Sequence, residues 1–216
     1  MQRFETSSSP VPVLLTHGIW MTSLELRWLG NRLSQCGFTP RYFQYNSLGS
    51  SPDYNARRLE AHIREMNVEH LHLVAHSLGG VVLLHLFDQF DDLPPGRVVL
   101  LGTPVAGSGV ARVIGGYPWL KPLLGQSLNR GLLGDIPPWQ DEQDLGVIAG
   151  TRQLGVGTVI GGVKGESDGT VAVAETRLEG AKASCTVRAS HMGMLFSRDV
   201  ARQTCCFLRE GRFVEA

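Results

Sequence analysis

The sequence has no excess charge of either sign. Among its 216 residues, 20 lysines and arginines balance 20 aspartates and glutamates, and no segment is strongly basic. Nucleic acid binding and attachment to an anionic membrane both depend on clustered basic residues. We therefore expect neither nucleic acid nor a charged membrane surface as the main partner.

Long hydrophobic runs are also missing. No apolar stretch approaches the roughly 18–20 residues that a helix needs to cross a bilayer, so we predict no transmembrane segment. Residues 1–10 are polar and lack the apolar stretch of a secretory signal. The sequence as given therefore predicts a cytoplasmic protein, with secretion only if a signal has been removed.

Cysteine is scarce, and its spacing fits no metal-binding pattern. The four cysteines are Cys36, Cys185, Cys205 and Cys206, and the adjacent pair is poorly placed to bond with itself. We predict buried or free thiols, as is usual in a reducing compartment. Because histidines and carboxylates also show no metal-ligand spacing, we predict no metal site and no cofactor.

What the sequence does contain is an alternation of short apolar segments with helical patterns. The composition, 43% hydrophobic and 19% charged, is that of a folded globular protein, and its length suits one domain over residues 1–216. The alternation predicts an α/β fold with parallel strands. We expect strands at residues 11–16, 40–45, 70–75, 97–101, 145–149 and 183–189. We expect helices near residues 24–33, 56–66 (with Asp53 as N-cap), 81–90 and 199–209.

Residues 104–144 form a long insert of weak periodicity, rich in Gly, Pro, Leu and Trp. Connections of this length are usually functional. We predict a cap across a binding pocket, with five glycines that would permit hinge-like movement. We expect the insert to direct apolar side chains towards that pocket, because it offers more apolar surface than a solvated loop should expose. These apolar residues are Trp119, Leu120, Leu123, Leu124, Leu132, Leu133, Ile136 and Trp139.

Residues 75–80, Ala-His-Ser-Leu-Gly-Gly, join a predicted strand to a predicted helix. A serine at such a corner is pushed outward by a tight turn, which needs small neighbours such as Ala75 and Gly79. The start of the helix adds its dipole and free N–H groups beside Ser77. The alternative is an N-capping serine at an ordinary strand–helix junction, but this context favours a nucleophile.

These motifs resemble the bacterial lipase and esterase branch of the α/β-hydrolase superfamily, near the triacylglycerol lipases. Ala75 departs from the family pattern by replacing the first glycine of the turn with another small residue. The resemblance implies an α/β-hydrolase fold, a largely parallel twisted sheet with helices on both faces and a cap-like insert. It also implies that residues 102–108, Gly-Thr-Pro followed by Gly-Ser, form a wall of the site.

The resemblance extends to the loop Leu-Thr-His-Gly-Ile-Trp at residues 15–20. By resemblance, the backbone N–H groups of Ile19 and Leu78 would stabilise the oxyanion of an acyl-transfer intermediate. His17 is a tempting base, but the resemblance favours a structural role in which it holds this loop by hydrogen bonding.

Ser77 requires a base, and seven histidines compete for that role. His191 follows the last predicted strand, where the family carries its histidine. The alternative is a histidine in a surface loop. Asp168, in Asp-Gly-Thr-Val, resembles the acid loop of the family and completes the chain order Ser, Asp, His. Glu166 and Glu175 are the fallback acids.

The implied function is hydrolysis of carboxylic esters through an acyl-serine, with a small-molecule or lipid-like ester as substrate. Thioester hydrolysis or acyl transfer with the same residues, and a non-catalytic hydrolase-fold binding module, are the alternatives. The oligomeric state is left open. The side chains that we expect at the substrate pocket are Trp20, Met21, His76, Trp119 and Met192, with Leu120, Leu123, Leu124 and Trp139 as further candidates.

Overall fold

The computed structural model describes residues 11–215 and forms one sheet of six strands flanked by helices. The strands are β1 (Pro12–Thr16), β2 (Thr39–Phe43), β3 (His72–His76), β4 (Arg97–Leu101), β5 (Asp144–Gly150) and β6 (Ala183–Val187). The helices are α1 (Arg27–Gln35), α2 (Pro52–Met66), α3 (Leu78–Gln89), α4 (Gly109–Gly115), α5 (Val156–Ile160) and α6 (Arg198–Glu210). Short 3₁₀ turns occupy Lys121–Leu123, Gly125–Ser127, Val173–Thr176 and Met192–Phe196.

All six strands run parallel, in the order β2-β1-β3-β4-β5-β6. The chain leaves β1 towards β2 on one side and returns to β3 on the other side. In open parallel sheets, ligands bind at such a reversal, outside the carboxyl ends of the strands. The predicted parallel α/β architecture is confirmed, and the loops after β1 and β3 lie side by side at the reversal.

Helices cover both faces of the sheet because the strands carry apolar side chains on both faces. On one face, Val13 and Leu15 pack with residues of α1 and α6, including Leu29 and Phe207. On the other face, Leu14 packs with residues of α2 and α3. Strands buried on both sides carry near-continuous apolar runs, which is why the sequence reveals them.

Two predicted boundaries near the helices need correction. The N-cap of α2 is Ser51, and Asp53 lies inside the first turn, where it forms a 3.1 Å ion pair with Arg57. Pro52 takes the first helical position, which suits its fixed φ and missing N–H. Helix α3 begins at Leu78, three residues before the predicted start, so Ser77 stands directly at its N-terminus.

The prediction of free thiols is wrong for two of the four cysteines. Cys36, which ends α1, forms a disulfide with Cys205 of α6, while Cys185 and Cys206 are free. The two half-cystines are 169 residues apart in sequence, and they meet because both helices pack on the same face of the sheet. Because disulfides are typical of oxidising compartments, the cysteines do not support the expected cytoplasmic location.

None of the described helices is both long and apolar enough to cross a membrane. The polar segment used in the expectation about secretion, residues 1–10, lies outside the described residues.

Candidate active site

Ser77 occupies a sharp turn between β3 and α3. Its backbone has φ 54° and ψ −123°, a conformation that non-glycine residues rarely adopt and that clusters at functional sites. The Ser77 N–H donates a 2.9 Å hydrogen bond to the Leu101 carbonyl, which holds the turn against β4. A Cβ at Gly79 would lie 2.6 Å from the His17 carbonyl oxygen, so only glycine fits there.

His191 lies beside this serine, in the loop between β6 and the 3₁₀ turn Met192–Phe196. Its Nε2 is 3.0 Å from the Ser77 hydroxyl oxygen, and its Nδ1 is 2.6 Å from Oδ2 of Asp168. The three side chains are buried, with 6% of Ser77, 8% of His191 and 1% of Asp168 exposed. The sequence therefore pointed to three residues, in the order Ser, Asp, His, that the structure brings into one hydrogen-bonded line.

The loop of Asp168 is shaped to aim its carboxylate at His191. Oδ1 accepts hydrogen bonds from the backbone N–H groups of Thr170 and Val171, at 2.8 and 2.7 Å. The backbone N–H of His191 donates to the Asp168 carbonyl at 3.0 Å. Gly169 has φ +90°, which permits the tight reversal. These contacts leave Oδ2 free for the imidazole.

The two expected oxyanion donors flank the serine. Leu78 is the first residue of α3, and Ile19 lies in the loop after β1 and lines the cavity beside Ser77. A Cβ at Gly18 would lie 3.1 Å from Cβ of Ser77, so the loop passes very close to the nucleophile candidate. Both residues lie just beyond the carboxyl ends of neighbouring strands, β1 and β3.

His17 is placed for a structural role. Its Nδ1–H donates to the Gly18 carbonyl at 2.8 Å, and its Nε2 accepts from the Tyr45 backbone N–H at 3.4 Å. Its ring stacks on Tyr45 at 4.3 Å, and the Tyr45 hydroxyl donates to the His17 carbonyl at 2.8 Å. Burial lowers the pKa of His17 and so favours this neutral form. The imidazole thus holds the loop that carries Ile19.

His76 lines the cavity, as expected, yet its Nε2 contacts a backbone and not the serine. It lies 3.0 Å from the carbonyl oxygen of His191. Burial, followed by the charge of His191, holds the pKa of His76 well below its ordinary value. A neutral imidazole bonded in this way is not available as the base of Ser77.

The cavity beside Ser77 is apolar, with a volume of about 160 Å³. Of the five predicted pocket residues, the structure brings Trp20, Met21, His76 and Met192 to its wall. Trp119 is 75% exposed and pairs with Tyr117 instead, so the structure does not place it in the pocket.

The predicted insert contributes only part of its apolar surface to this cavity. Its lining residues are Pro104, Ser108, Val110, Ala111, Ile114, Leu124 and Leu132. Trp139, expected at the pocket, packs against Phe87 on the face of the sheet that α2 and α3 cover, with ring centroids 4.7 Å apart. Leu123 and Leu133 are 49% and 44% exposed. Leu120 and Ile136 pack behind the lining and do not reach the cavity. Of the eight apolar side chains of the insert named above, Leu124 and Leu132 line the cavity.

A second segment of the wall was missed by the sequence reasoning. Leu154, Gly155 and Val156, just before and within α5, line the cavity together with Thr170 and Val171 of the acid loop. The sequence does contain a feature that could have predicted this wall. Residues 154–160, Leu-Gly-Val-Gly-Thr-Val-Ile, are too apolar for an ordinary surface loop.

Metal ligands are not clustered in the described part of the chain. Within residues 11–215, no group of three or more histidine, cysteine, aspartate or glutamate side chains is placed to hold a metal ion. His72 and His76 stand four residues apart, but on an extended strand this spacing separates them by about 13 Å.

Comparisons with known proteins show the same fold in other proteins. The mature form of the lipase BlEst2 from Bacillus licheniformis has 22% sequence identity and a TM-score of 0.74, with 95% of this chain and 94% of that chain covered. The carboxylesterase CesB from Bacillus subtilis has 12% identity and a TM-score of 0.60, with 94% and 85% covered. None of the curated proteins compared with the chain matches it. A model of the alpha/beta hydrolase family matches residues 13–203. With this match over most of its length, the chain belongs to the alpha/beta hydrolase family.

Proposed function

We propose that the protein is a serine hydrolase that cleaves carboxylic esters through an acyl-serine intermediate. The observation that carries the proposal is the line of hydrogen bonds from Ser77 through His191 to Asp168, at 3.0 and 2.6 Å. A serine hydroxyl is a weak nucleophile until a neighbouring base accepts its proton, and this geometry provides that base.

In the proposed mechanism, Oγ of Ser77 attacks the ester carbonyl carbon while Nε2 of His191 takes the hydroxyl proton. Asp168 stabilises the resulting imidazolium and holds its tautomer. The backbone N–H groups of Ile19 and Leu78 stabilise the oxyanion. The imidazolium then protonates the departing alcohol, which leaves an acyl-serine.

The second half of the reaction repeats these roles with water. His191 accepts a proton from a water molecule, whose oxygen attacks the acyl-serine carbonyl. The carboxylic acid departs as Ser77 recovers its proton from the imidazolium, and the free enzyme is restored. The similarity of the fold to a lipase and to a carboxylesterase supports an ester as the substrate class.

The decisive test compares Ser77→Ala with Ser184→Ala, a change at an exposed position on β6. We expect purified Ser77→Ala to lose hydrolysis of p-nitrophenyl esters by about 10⁴-fold or more, as nucleophile removal does in serine hydrolases. A fluorophosphonate probe should label the wild type and Ser184→Ala but not Ser77→Ala. Wild-type turnover by a folded Ser77→Ala protein would refute the proposal, and a folded wild type without labelling or turnover would indicate a non-catalytic binding module.

A further inference from the structure

We propose that the site accepts esters of short, uncharged aliphatic acids, up to about hexanoate, because residues 104–144 form a fixed wall and not a moving lid. The inference rests on the proposed function and deepens it by naming the substrate class. Three observations carry it: the size of the cavity, the close packing of the insert side chains in its wall, and the attachments of the insert.

The cavity is small and has no charged side chain in its wall. An apolar protein cavity of about 150 Å³ holds a benzene ring of six carbons, so a cavity of about 160 Å³ has room for an aliphatic chain of about that many carbons. None of the described lining residues is an aspartate, glutamate, lysine or arginine. Burying an ionised group without a partner is strongly unfavourable. Long chains and charged acids are therefore both disfavoured.

Part of the cavity wall consists of buried, packed side chains of the insert. Ile114, Leu124 and Leu132 line the cavity and are only 1%, 2% and 5% exposed. They pack with Leu78 and Val81 of α3 in one apolar cluster. Because the interior of such a cluster is close-packed, a chain that reaches it has no channel through which to continue.

The middle of the insert is tied to the two loops that carry Trp20 and Leu48. Trp20, next to the expected oxyanion donor Ile19, donates a 2.6 Å hydrogen bond from Nε1 to the Leu123 carbonyl. The Gln126 backbone N–H donates to the Leu48 carbonyl at 2.8 Å. A Cβ at Gly125 would lie 2.2 Å from that same Leu48 oxygen. Gly125 thus permits a close backbone contact, which is the opposite of a hinge.

Two further positions of the insert are tied to the body of the protein as well. His85 of α3 bonds through Nε2 to the Arg130 carbonyl at 2.6 Å. Glu175, beside the acid loop, accepts a 2.7 Å hydrogen bond from the Gly109 backbone N–H at the start of α4. Opening the insert would break these bonds together with those of Trp20 and Gln126. The cavity therefore keeps one size, and that size sets the preference for acyl length.

The first experiment is a panel of p-nitrophenyl esters from acetate to palmitate. We expect kcat/KM to rise about fourfold for each added methylene, the factor for burying one such group, until the cavity is full near hexanoate. It should fall for decanoate and longer chains, and detergent micelles should give no increase in rate. A continued rise towards palmitate, or a jump in rate at micelles, would show that the insert opens and would overturn the inference.

Matched variants of the insert test whether its side chains set the preferred acyl length. Leu132→Ala enlarges the cavity and should shift the preferred acid to a longer chain, while Leu133→Ala, at an exposed neighbouring position, should leave the profile unchanged. Ala111→Val should shift it to a shorter chain. If Leu132→Ala does not fold, judged by thermal unfolding, Leu132→Val provides a smaller enlargement. Equal profiles for the folded Leu132 and Leu133 variants would refute the assignment.

Two controls separate this inference from the proposed function. Fluorophosphonate labelling of Ser77 reports the nucleophile independently of chain length, so a labelled, active enzyme with a flat profile refutes the fixed-cavity inference alone. An unlabelled, inactive wild type refutes both. A second panel, with the acid fixed and the alcohol lengthened, should be nearly flat. If the alcohol is discriminated instead, the cavity holds the alcohol and the acyl assignment is wrong.

Discussion

The Nε2–H group of His76 donates a 3.0 Å hydrogen bond to the backbone carbonyl of His191, and the two rings lie 4.6 Å apart. A carbonyl oxygen can only accept, so the proton of the neutral His76 imidazole is on Nε2. Its Nδ1 is then unprotonated, and it is buried without a hydrogen-bond partner among the described residues. His76 therefore supports the backbone of the proposed base and takes no part in proton transfer.

Replacing His76 with leucine should lower kcat for ester hydrolysis about 10–100-fold, because loss of the support lets His191 shift relative to Ser77 and small misplacements are costly in catalysis. We expect KM to change much less, since the cavity keeps its apolar wall. His70→Gln, at an exposed position on the loop before β3, is the matched control. Equal kcat values for folded His76→Leu and wild type would contradict a positioning role.

Asp168→Asn should keep the fold and lower kcat by about 10⁴-fold, because an amide favours the wrong imidazole tautomer and does not stabilise the imidazolium. Glu166→Gln, two residues earlier and exposed, should retain wild-type activity. Steady-state kinetics on purified proteins checks both variants. A large loss in Glu166→Gln, with activity retained in Asp168→Asn, would reassign the acid.

The parts of the fold and site that the sequence predicts well depend on short-range signals. Strand β4 coincides with its predicted range, because its apolar run Val-Val-Leu-Leu closely follows a Pro-Pro-Gly turn. Ser77, Asp168 and His191 each lie in a motif of a few residues whose backbone shape is locally determined. The order of these motifs then follows from the parallel sheet, which aligns the carboxyl ends of its strands.

The parts that the sequence does not predict depend on distant packing. The bond between Cys36 and Cys205 requires α1 and α6 to share a face of the sheet, and no local pattern encodes that meeting. Trp139 is expected at the pocket because it is a large apolar residue of the insert. It packs instead against Phe87, on the face of the sheet that α2 and α3 cover. An apolar side chain reveals that it is buried, but not which of several apolar surfaces it joins.

The disulfide leads to a prediction about stability. Changing Cys36 and Cys205 to serine together should lower the free energy of unfolding by about 2–5 kcal/mol, because the bond restricts a long loop in the unfolded chain. Cys206→Ser, next to the bond and free, is the control and should have a small effect. Denaturant unfolding measures both. Activity at low temperature should be unchanged, since neither half-cystine lines the cavity beside Ser77.

The last prediction concerns acid stability and His72. Its Nδ1 accepts a 2.9 Å hydrogen bond from the backbone N–H of Arg97. Burial lowers the pKa of His72 to about 4, and the positive charge of Arg97 makes a smaller contribution in the same direction. Between pH 6.5 and 4, the unfolded chain protonates this histidine while the folded chain does not. The free energy of unfolding should thus fall with pH by up to about 1.4 kcal/mol per unit for this group. Denaturant titrations from pH 6.5 to 4.5 should show a shallower slope for His72→Gln and an unchanged slope for Ser184→Ala, a change at an exposed position that does not titrate. Equal slopes in all three proteins would show that His72 binds its proton alike in both states.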